Sequence, residues 1–170
     1  MYSVSSITDD TLILEGEGRT ISFSLIREEI IRVKVLEKGA DESTEFKVSE
    51  EKTPVKIKVS SISKDRLRIS SSHTDVIINL NPFSFKVYRD GKERLSTDEV
   101  AFIDKRGEET ILRFRLIPEE RVYGLGQDHM ADLNQRGKER RCWHQWNGFR
   151  RSGNDSVPFL LSSENYGLFL

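Results

Sequence analysis

Short runs in which apolar and polar residues alternate dominate the first part of this sequence. In Thr20–Ile26, TISFSLI, the side chains of Ile21, Phe23 and Leu25 fall on one face and the polar side chains on the other. A period of two is that of a β-strand with one buried face. Comparable strand candidates occur at Thr11–Leu14, Ile30–Leu36, Phe46–Val48, Val55–Ile62, Arg66–Ser70, Asp75–Leu80, Phe83–Val87, Ala101–Ile103 and Thr110–Ile117.

The spacing of these runs predicts the fold class. About nine or ten short strands, roughly 8–12 residues apart and without a long amphipathic helix, indicate an all-β antiparallel sandwich or barrel. One buried face per sheet favours two sheets packed on each other. The Asp90-Gly91 pair predicts a tight hairpin turn, and Pro118 should end strand pairing because it lacks a backbone donor.

Composition narrows the range of partners and of cellular locations. The chain has 170 residues, about the size of one domain, and its 27 basic and 28 acidic residues give a net charge of −1. A chain of nearly zero net charge has no long-range electrostatic field that would attract polyanions, so nucleic acid and anionic membranes are not expected partners. The single cysteine, the lack of a secretory signal and the lack of a membrane-spanning apolar run lead us to expect a cytoplasmic protein.

From Tyr123 to Asp155 the alternation gives way to a polar, aromatic segment punctuated by glycine. Long loops in compact domains are usually functional or disordered, and the aromatic residues of this segment argue against disorder. We therefore expect an ordered functional loop that ends at the apolar run Val157–Leu161. The chain then stops within a second apolar run, Tyr166–Leu170, so we expect it to be the front part of a longer polypeptide.

Five motifs of this region carry a family resemblance. They are YGLGQ (Tyr123–Gln127), LNQRG (Leu133–Gly137), the tryptophans Trp143 and Trp146, PFLLSS (Pro158–Ser163) and YGLFL (Tyr166–Leu170). Their order resembles that of the family 31 glycoside hydrolases, which include α-glucosidases and α-xylosidases. The resemblance covers Arg121–Leu170 well and the rest of the chain more loosely.

The resemblance implies a galactose-mutarotase-like N-terminal β-sandwich. In that family the sandwich precedes a (β/α)₈ barrel whose aspartates act as nucleophile and acid/base, so no catalytic residue is assigned within 1–170. The expected domain is 1–170, incomplete at its C-terminal end, with a loop at 127–155 that helps to line the substrate site. Expected partners are a carbohydrate substrate and the barrel of the same chain, with an oligomer possible. No metal or cofactor is implied.

The sequence also departs from the family pattern. Gln127 stands where many members have Glu. The family's Trp-Asn-x-Asp motif aligns either with Trp143–Trp146 or with Trp146–Phe149, and neither alignment supplies the aspartate. A changed loop should change the pocket, so plain α-glucoside specificity does not transfer directly.

The candidate substrate-binding residues are Gln127, Asp128, His144, Gln145, Trp146, Asn147 and Arg150. Trp146 could stack on the C–H surface of a sugar. The side chains of His144, Gln145 and Asn147 could form a row of hydrogen-bonding groups, and Arg150 could bind a carboxylated or sulfated sugar. Three of these residues have a structural alternative: Trp146 could fill the gap between loop and sandwich, His144 could be satisfied by backbone, and Arg150 could tie down the loop.

No pair of carboxylates stands out as a glycosidase pair, which in retaining enzymes lies about 5–5.5 Å apart. Nearly all carboxylates are expected on the surface. Two alternative hypotheses about the function of the chain remain: it could be a free-standing carbohydrate-binding module, or a sugar mutarotase that acts alone.

Overall fold

The computed structural model describes residues 1–37, 55–98, 103–106, 109–126, 132–138 and 157–169. Within them every regular element is a strand, and all neighbouring strands pair antiparallel, as predicted. The strands are β1 (Tyr2–Ile7), β2 (Thr11–Gly16), β3 (Arg19–Arg27), β4 (Ile30–Glu37), β5 (Lys58–Ser63), β6 (Arg66–Ser70), β7 (Thr74–Leu80), β8 (Phe83–Arg89), β9 (Lys92–Thr97), β10 (Ile103–Arg106), β11 (Glu109–Leu112), β12 (Phe114–Arg115), β13 (Val122–Gly124), β14 (Phe159–Ser162) and β15 (Tyr166–Phe169).

The chain divides into two compact units, Met1–Arg115 and Leu116–Leu170. The first unit contains β1 to β12 and the second contains β13 to β15. A single domain over residues 1–170 stays a prediction.

Two sheets make up most of the first unit. One has the order β1-β2-β3-β4 and the other the order β12-β9-β8-β7-β6-β5, while β10 and β11 form a separate hairpin. Strand β3 shows why the alternation was informative: Ile21, Phe23 and Leu25 are buried, and the residues between them are half-buried. The Asp90-Gly91 turn has φ values of 49° and 75°, as a two-residue hairpin loop with positive φ at both positions requires.

The two sheets share one apolar core. Phe23 of β3 and Phe85 of β8 meet edge to face, with ring centroids 5.2 Å apart and an interplanar angle of 86°. Tyr2 and Phe83 make a second contact between the sheets, at 4.8 Å. Both pairs belong to one cluster of buried side chains from the two sheets. This arrangement is the predicted sandwich.

Polar contacts join the sheets at one end of the sandwich. The Glu28 carbonyl, between β3 and β4, accepts hydrogen bonds from Thr74 Oγ1 and from Arg89 Nη1, both at 2.6 Å. The Glu28 carboxylate accepts a hydrogen bond from Ser71 Oγ at 2.7 Å, and this bond lowers the pKa of Glu28. Strands β7 and β8 are thereby tied to the opposite sheet outside the apolar core.

Several strand bounds differ from the sequence prediction. Strand β1 was missed because only Tyr2 of its six residues is buried, so the run lacks an apolar face. Strand β5 begins at Lys58, although Val55 and Ile57 still pack against the core. The run predicted over 110–117 is divided into β11 and β12 and ends at Arg115. The strand predicted at 46–48 and the first two residues of the one at 101–103 lie outside the described residues.

A buried threonine completes the hydrogen bonding between β8 and β9. Thr97 is fully buried, and its Oγ1 accepts a hydrogen bond from Phe85 N at 2.8 Å. The same hydroxyl donates to Phe85 O at 3.1 Å. A side chain therefore satisfies both backbone groups of a core residue.

We expect Thr97→Val to lower the free energy of unfolding by about 2–3 kcal/mol, because it leaves the buried amide and carbonyl of Phe85 without this partner. Thr97→Ser keeps the hydroxyl and loses one methyl group, so its cost should be about 1 kcal/mol or less. Urea unfolding followed by far-UV circular dichroism measures both. Equal losses in the two variants would show that the hydroxyl is unimportant.

Candidate functional site

The second unit is built on a small antiparallel sheet of order β13-β14-β15. Val122 pairs with Ser162 and Gly124 with Leu160, while Ser162 also pairs with Tyr166 on the other side. The predicted loop at 127–155 follows β13 and precedes β14. This sheet therefore holds both ends of the predicted loop.

The YGLG motif ends β13 in a sharp change of backbone direction. Gly124, Leu125 and Gly126 all have positive φ, at 102°, 66° and 93°. A Cβ atom at Gly124 would lie 2.6 Å from the carbonyl oxygen of Phe159, and the Leu125 amide donates to that oxygen at 2.8 Å. The backbones of β13 and β14 therefore approach closely at this glycine. This close approach places the exit of the chain from β13 beside its entry into β14.

The LNQRG motif covers the outer edge of β13. Asn134 Oδ1 accepts hydrogen bonds from the amides of Val122 at 3.1 Å and of Arg136 at 3.2 Å. The Gln135 amide donates to the Val122 carbonyl at 2.7 Å. The asparagine side chain therefore bonds within its own turn and also holds this turn on β13.

The turn at 132–138 is closed by its own side chains. Gln135 is buried, and its Nε2 donates to Asp132 O at 2.5 Å. Lys138 Nζ contacts Asp132 Oδ2 at 2.5 Å and lowers the pKa of Asp132. Residues 132–138 of the predicted loop thus form a well-defined turn.

A buried carboxylate joins the strands of this unit. Glu120 is 3% exposed, and its Oε1 accepts hydrogen bonds from Ser162 Oγ at 2.5 Å and from the Tyr166 hydroxyl at 2.7 Å. Its Oε2 accepts from the Ile117 amide at 2.9 Å. Sequence reasoning placed nearly all carboxylates on the surface, and Glu120 is an exception because three donors meet it.

Arg136 attaches the LNQRG turn to the segment that carries this carboxylate. Its Nη1 donates to the carbonyl oxygens of Ile117 and Glu120, both at 2.8 Å. The guanidinium group therefore joins the turn to the residues that precede β13.

Burial raises the pKa of Tyr166, and the hydrogen bond to Glu120 raises it further. The phenol is consequently held as a neutral donor to the carboxylate. One weak signal of this cluster is visible in the sequence: Ser162 takes an inward position of β14 that an apolar residue would ordinarily occupy.

All seven predicted substrate-binding residues lie outside the described residues: Gln127, Asp128, His144, Gln145, Trp146, Asn147 and Arg150. The structure brings together β13, the turn at 132–138 and β14, and the seven residues lie between these elements in the sequence. The substrate-binding assignment stays a prediction.

One face of the three-stranded sheet presents exposed apolar side chains. Phe159, Leu161 and Phe169 are 37%, 50% and 54% exposed, and Phe159 pairs with Phe169 across the strands. Gly167 leaves room for the Phe159 ring, since a Cβ atom there would lie 2.9 Å from it. We call Phe159, Leu161 and Phe169 the apolar face.

Among the described residues, no three His, Cys, Asp or Glu side chains are grouped as metal ligands. The same part of the chain has no helix with the length and apolar character needed to cross a bilayer.

Comparison with known proteins identifies relatives of the fold. Residues 20–170 match the family described as the glycosyl hydrolase 31 N-terminal galactose mutarotase-like domain. No curated protein sequence matches the chain.

Three solved structures illustrate the likeness. A Flavobacterium johnsoniae GH31 dextranase complexed with glucose matches with a TM-score of 0.82 and 22% identity, over 99% of this chain and 21% of the dextranase. A GH31 α-xylosidase from a soil metagenome, complexed with xylose, matches with a TM-score of 0.71 and 22% identity, over 96% of this chain and 27% of the xylosidase. The cycloalternan-forming enzyme of Listeria monocytogenes matches with a TM-score of 0.69 and 17% identity, over 98% of this chain and 16% of that enzyme. The chain thus spans roughly a sixth to a quarter of these proteins.

Tyr166 makes the stability of the chain sensitive to alkaline pH. Below about pH 10 the phenol is neutral in both the folded and the unfolded state. Above that pH the unfolded chain loses the proton while the folded chain keeps it, because the folded pKa is raised, so the free energy of unfolding should fall as the pH rises. Tyr166→Phe should cost about 1 kcal/mol at pH 8 through the lost hydrogen bond. Its deficit relative to wild type should shrink above pH 10.

Urea unfolding at pH 8 and at several values above pH 10 tests this expectation. Ser162→Ala is the matched control, since it removes the other donor to the same Glu120 oxygen and leaves the tyrosine in place. Its deficit should change little with pH. A Tyr166→Phe deficit that also stays constant would contradict the prediction.

Proposed function

Because the chain belongs to the glycosyl hydrolase 31 N-terminal galactose mutarotase-like domains, we propose that it is the non-catalytic N-terminal domain of an α-glycosidase that hydrolyses α-linked glycosides. Its proposed tasks are to support a catalytic barrel in the same polypeptide and to lend a loop to the substrate site. The proposal is carried by the second unit, whose sheet holds the ends of the predicted loop and presents the apolar face.

The apolar face supports the first task. Phe159, Leu161 and Phe169 are large side chains grouped on one side of a sheet and exposed to water. Clustered exposed apolar side chains usually mark an interaction site. We propose that the barrel packs against this face.

The fixed ends of the loop support the second task. A loop that shapes a substrate site must present its side chains in a reproducible position, because small displacements of positioning groups are costly to catalysis. Here the turn at 132–138 and the Leu125–Phe159 hydrogen bond provide fixed attachment points. We propose that Gln127, Asp128, His144, Gln145, Trp146, Asn147 and Arg150 contact the carbohydrate.

The names of the similar solved structures support a proposal about the substrate class. A dextranase and an α-xylosidase are among them, and both are complexed with sugars in these structures. We propose an α-linked glucoside or xyloside as the substrate of the full-length protein.

We expect the 170-residue chain to give no turnover of nitrophenyl α-glucoside or α-xyloside above background, since no two carboxylates stand out in its sequence as a glycosidase pair. The full-length gene product, in which we expect a barrel to follow Leu170, should hydrolyse at least one of them. Release of nitrophenol by the two proteins, assayed side by side, is the measurement. Turnover by the 170-residue chain would refute its non-catalytic role. An inactive full-length product that nevertheless binds sugars would favour a carbohydrate-binding module.

Leu161→Lys tests the apolar face as the barrel contact. Leu161 is 50% exposed, so the change should alter the stability of the 170-residue chain by no more than about 0.5 kcal/mol. In the full-length protein the lysine would be buried against the barrel without a partner and should lower the melting temperature and the activity. Ile62→Lys is the matched control at the same 50% exposure in the first unit, and it should leave both properties unchanged. Equal effects of the two variants would exclude this face.

A further inference from the structure

A polar cleft lies within the second unit and includes none of the residues of the apolar face. It is bounded by the LNQRG turn and by the segment that leads into β13, and its volume is about 460 Å³. Small-molecule sites typically have volumes of roughly 300–1,000 Å³. Its lining includes two arginines, Arg121 and Arg136, and the exposed Glu119. The cleft therefore has a suitable size for a small molecule and contains charged groups of both signs.

The guanidinium group of Arg136 is held in place with one edge unoccupied. Nη1 donates to the carbonyl oxygens of Ile117 and Glu120, so both of its hydrogens are used. Nε–H and the Nη2 hydrogens contact no acceptor among the described residues. Nε–H and one Nη2–H point in the same direction, and this edge matches the two oxygens of a carboxylate. Because the group is already immobilised, a ligand that binds it loses less affinity to side-chain ordering.

Two further side chains bring donors to the same cleft. Arg121 is exposed, and its side chain forms no hydrogen bond or ion pair within the described part of the chain. Asn134 uses its Oδ1 to hold the turn, so its Nδ2 keeps two donors that have no acceptor in that same part. The lining thus offers donors from three side chains, two of them cationic.

Glu119 brings an acceptor to the cleft from a backbone position that is unfavourable for glutamate. Residues 117–120 form a turn in which the Glu120 amide donates to the Ile117 carbonyl at 3.3 Å. Pro118 takes the second position, and Glu119, with a φ of 63°, takes the third. In a type II turn that third position ordinarily holds glycine, because positive φ is costly for other residues. Strained residues of this kind cluster at ligand sites, and the Glu119 carboxylate has no partner among the described residues.

We propose that this cleft binds a small carboxylate that also carries hydroxyl groups, such as a sugar acid. Arg136 receives the carboxylate along its edge of Nε and Nη2, and Arg121 adds a second cation. Glu119 accepts hydrogen bonds from hydroxyl groups, and Asn134 Nδ2 donates to them. The site goes beyond the proposed function and does not depend on it.

The charges of the cleft favour this class of ligand. Glu120 also lines the cleft, but its buried carboxylate already accepts hydrogen bonds from three donors. Among the exposed groups, Arg121 and Arg136 oppose Glu119, which leaves an excess of one positive charge. One carboxylate balances that charge, whereas a dianion would be repelled by Glu119. A neutral sugar would leave the edge of Arg136 unfilled.

Saturation-transfer difference NMR of D-glucuronate, at constant ionic strength, measures binding to the 170-residue chain, which contains the whole cleft. D-Glucuronate should bind with a Kd of about 1 mM, as expected for a ligand of this size. D-Glucose lacks the carboxylate and acetate lacks the hydroxyl groups, so each should bind about tenfold more weakly. Inorganic phosphate should compete poorly with D-glucuronate.

Substitutions of the two arginines test the cationic part of the site. Arg136→Lys keeps the charge but removes the two-donor edge, so it should raise the Kd of D-glucuronate about tenfold. Arg121→Gln removes a cation whose side chain has no described partner, and it should raise the Kd about threefold without loss of stability. Arg66→Gln is the matched control, because it removes the same charge from an exposed arginine of the first unit. It should leave the Kd unchanged.

Glu119→Gly separates the hydroxyl contacts from the carboxylate contact. It should weaken the binding of D-glucuronate and leave that of acetate unchanged, so the preference between them falls. It should not lower the melting temperature, because glycine tolerates the positive φ at this position. A purely structural role of Glu119 would not change the preference. The same variants in the full-length protein should show the same changes, since any second sugar site there is common to all of them.

The outcomes decide the proposal in either direction. Saturable binding of D-glucuronate that Arg136→Lys weakens and Arg66→Gln does not would support it. Absence of saturable binding up to about 10 mM, tenfold above the expected Kd, would overturn it. Equal binding of D-glucose or of acetate, tighter binding of phosphate, or equal Kd values in wild type and all cleft variants would also overturn it. The proposed function is tested separately by glycoside turnover and is unaffected by these results.

Discussion

Burial of one apolar face of each sheet against the other is the constraint on which the first unit depends. The inward side chains of β2, β3, β7 and β8 form one cluster with Tyr2, and the edge-to-face contact of Phe23 with Phe85 lies within it. Because side chains alternate with a period of two, a shift of one residue in any pairing would turn an apolar face to water. The same burial therefore fixes the fold and the register of its strands.

The second unit uses a different means of fixing its strands. Three strands of three or four residues bury little apolar surface, and small sheets of this kind need additional support. The buried residues described there are mainly polar: Glu120, Gln135 and Ser162, with Val122. Hydrogen bonds are directional, so a satisfied polar cluster specifies the positions of its members more narrowly than apolar contact of the same size. A partly satisfied cluster is costly, which makes this unit sensitive to single substitutions.

The sequence was sufficient to predict strands and turns that depend on local pattern. It did not predict the burial of side chains whose partners lie far away in the chain. Strand β3 and the Asp90-Gly91 turn follow from alternation and from glycine's tolerance of positive φ. Strand β1 could not be found in this way, because five of its six residues are exposed. The general expectation that carboxylates lie on the surface misses Glu120, whose donors Ser162 and Tyr166 come 42 and 46 residues later in the chain. The candidate sugar-contacting residues rest on motif likeness alone, because their positions lie outside the described part of the chain.

The two edges of the small sheet are not equivalent. On β13 the Val122 amide and carbonyl are occupied by Asn134 and Gln135, whereas no strand pairs with the outer side of β15 in the part of the chain that the structure describes. At Val122, therefore, the LNQRG turn occupies the position in which a further strand would pair with β13. The LNQRG turn, introduced as part of a loop, thus also protects one edge of this sheet from pairing with another strand.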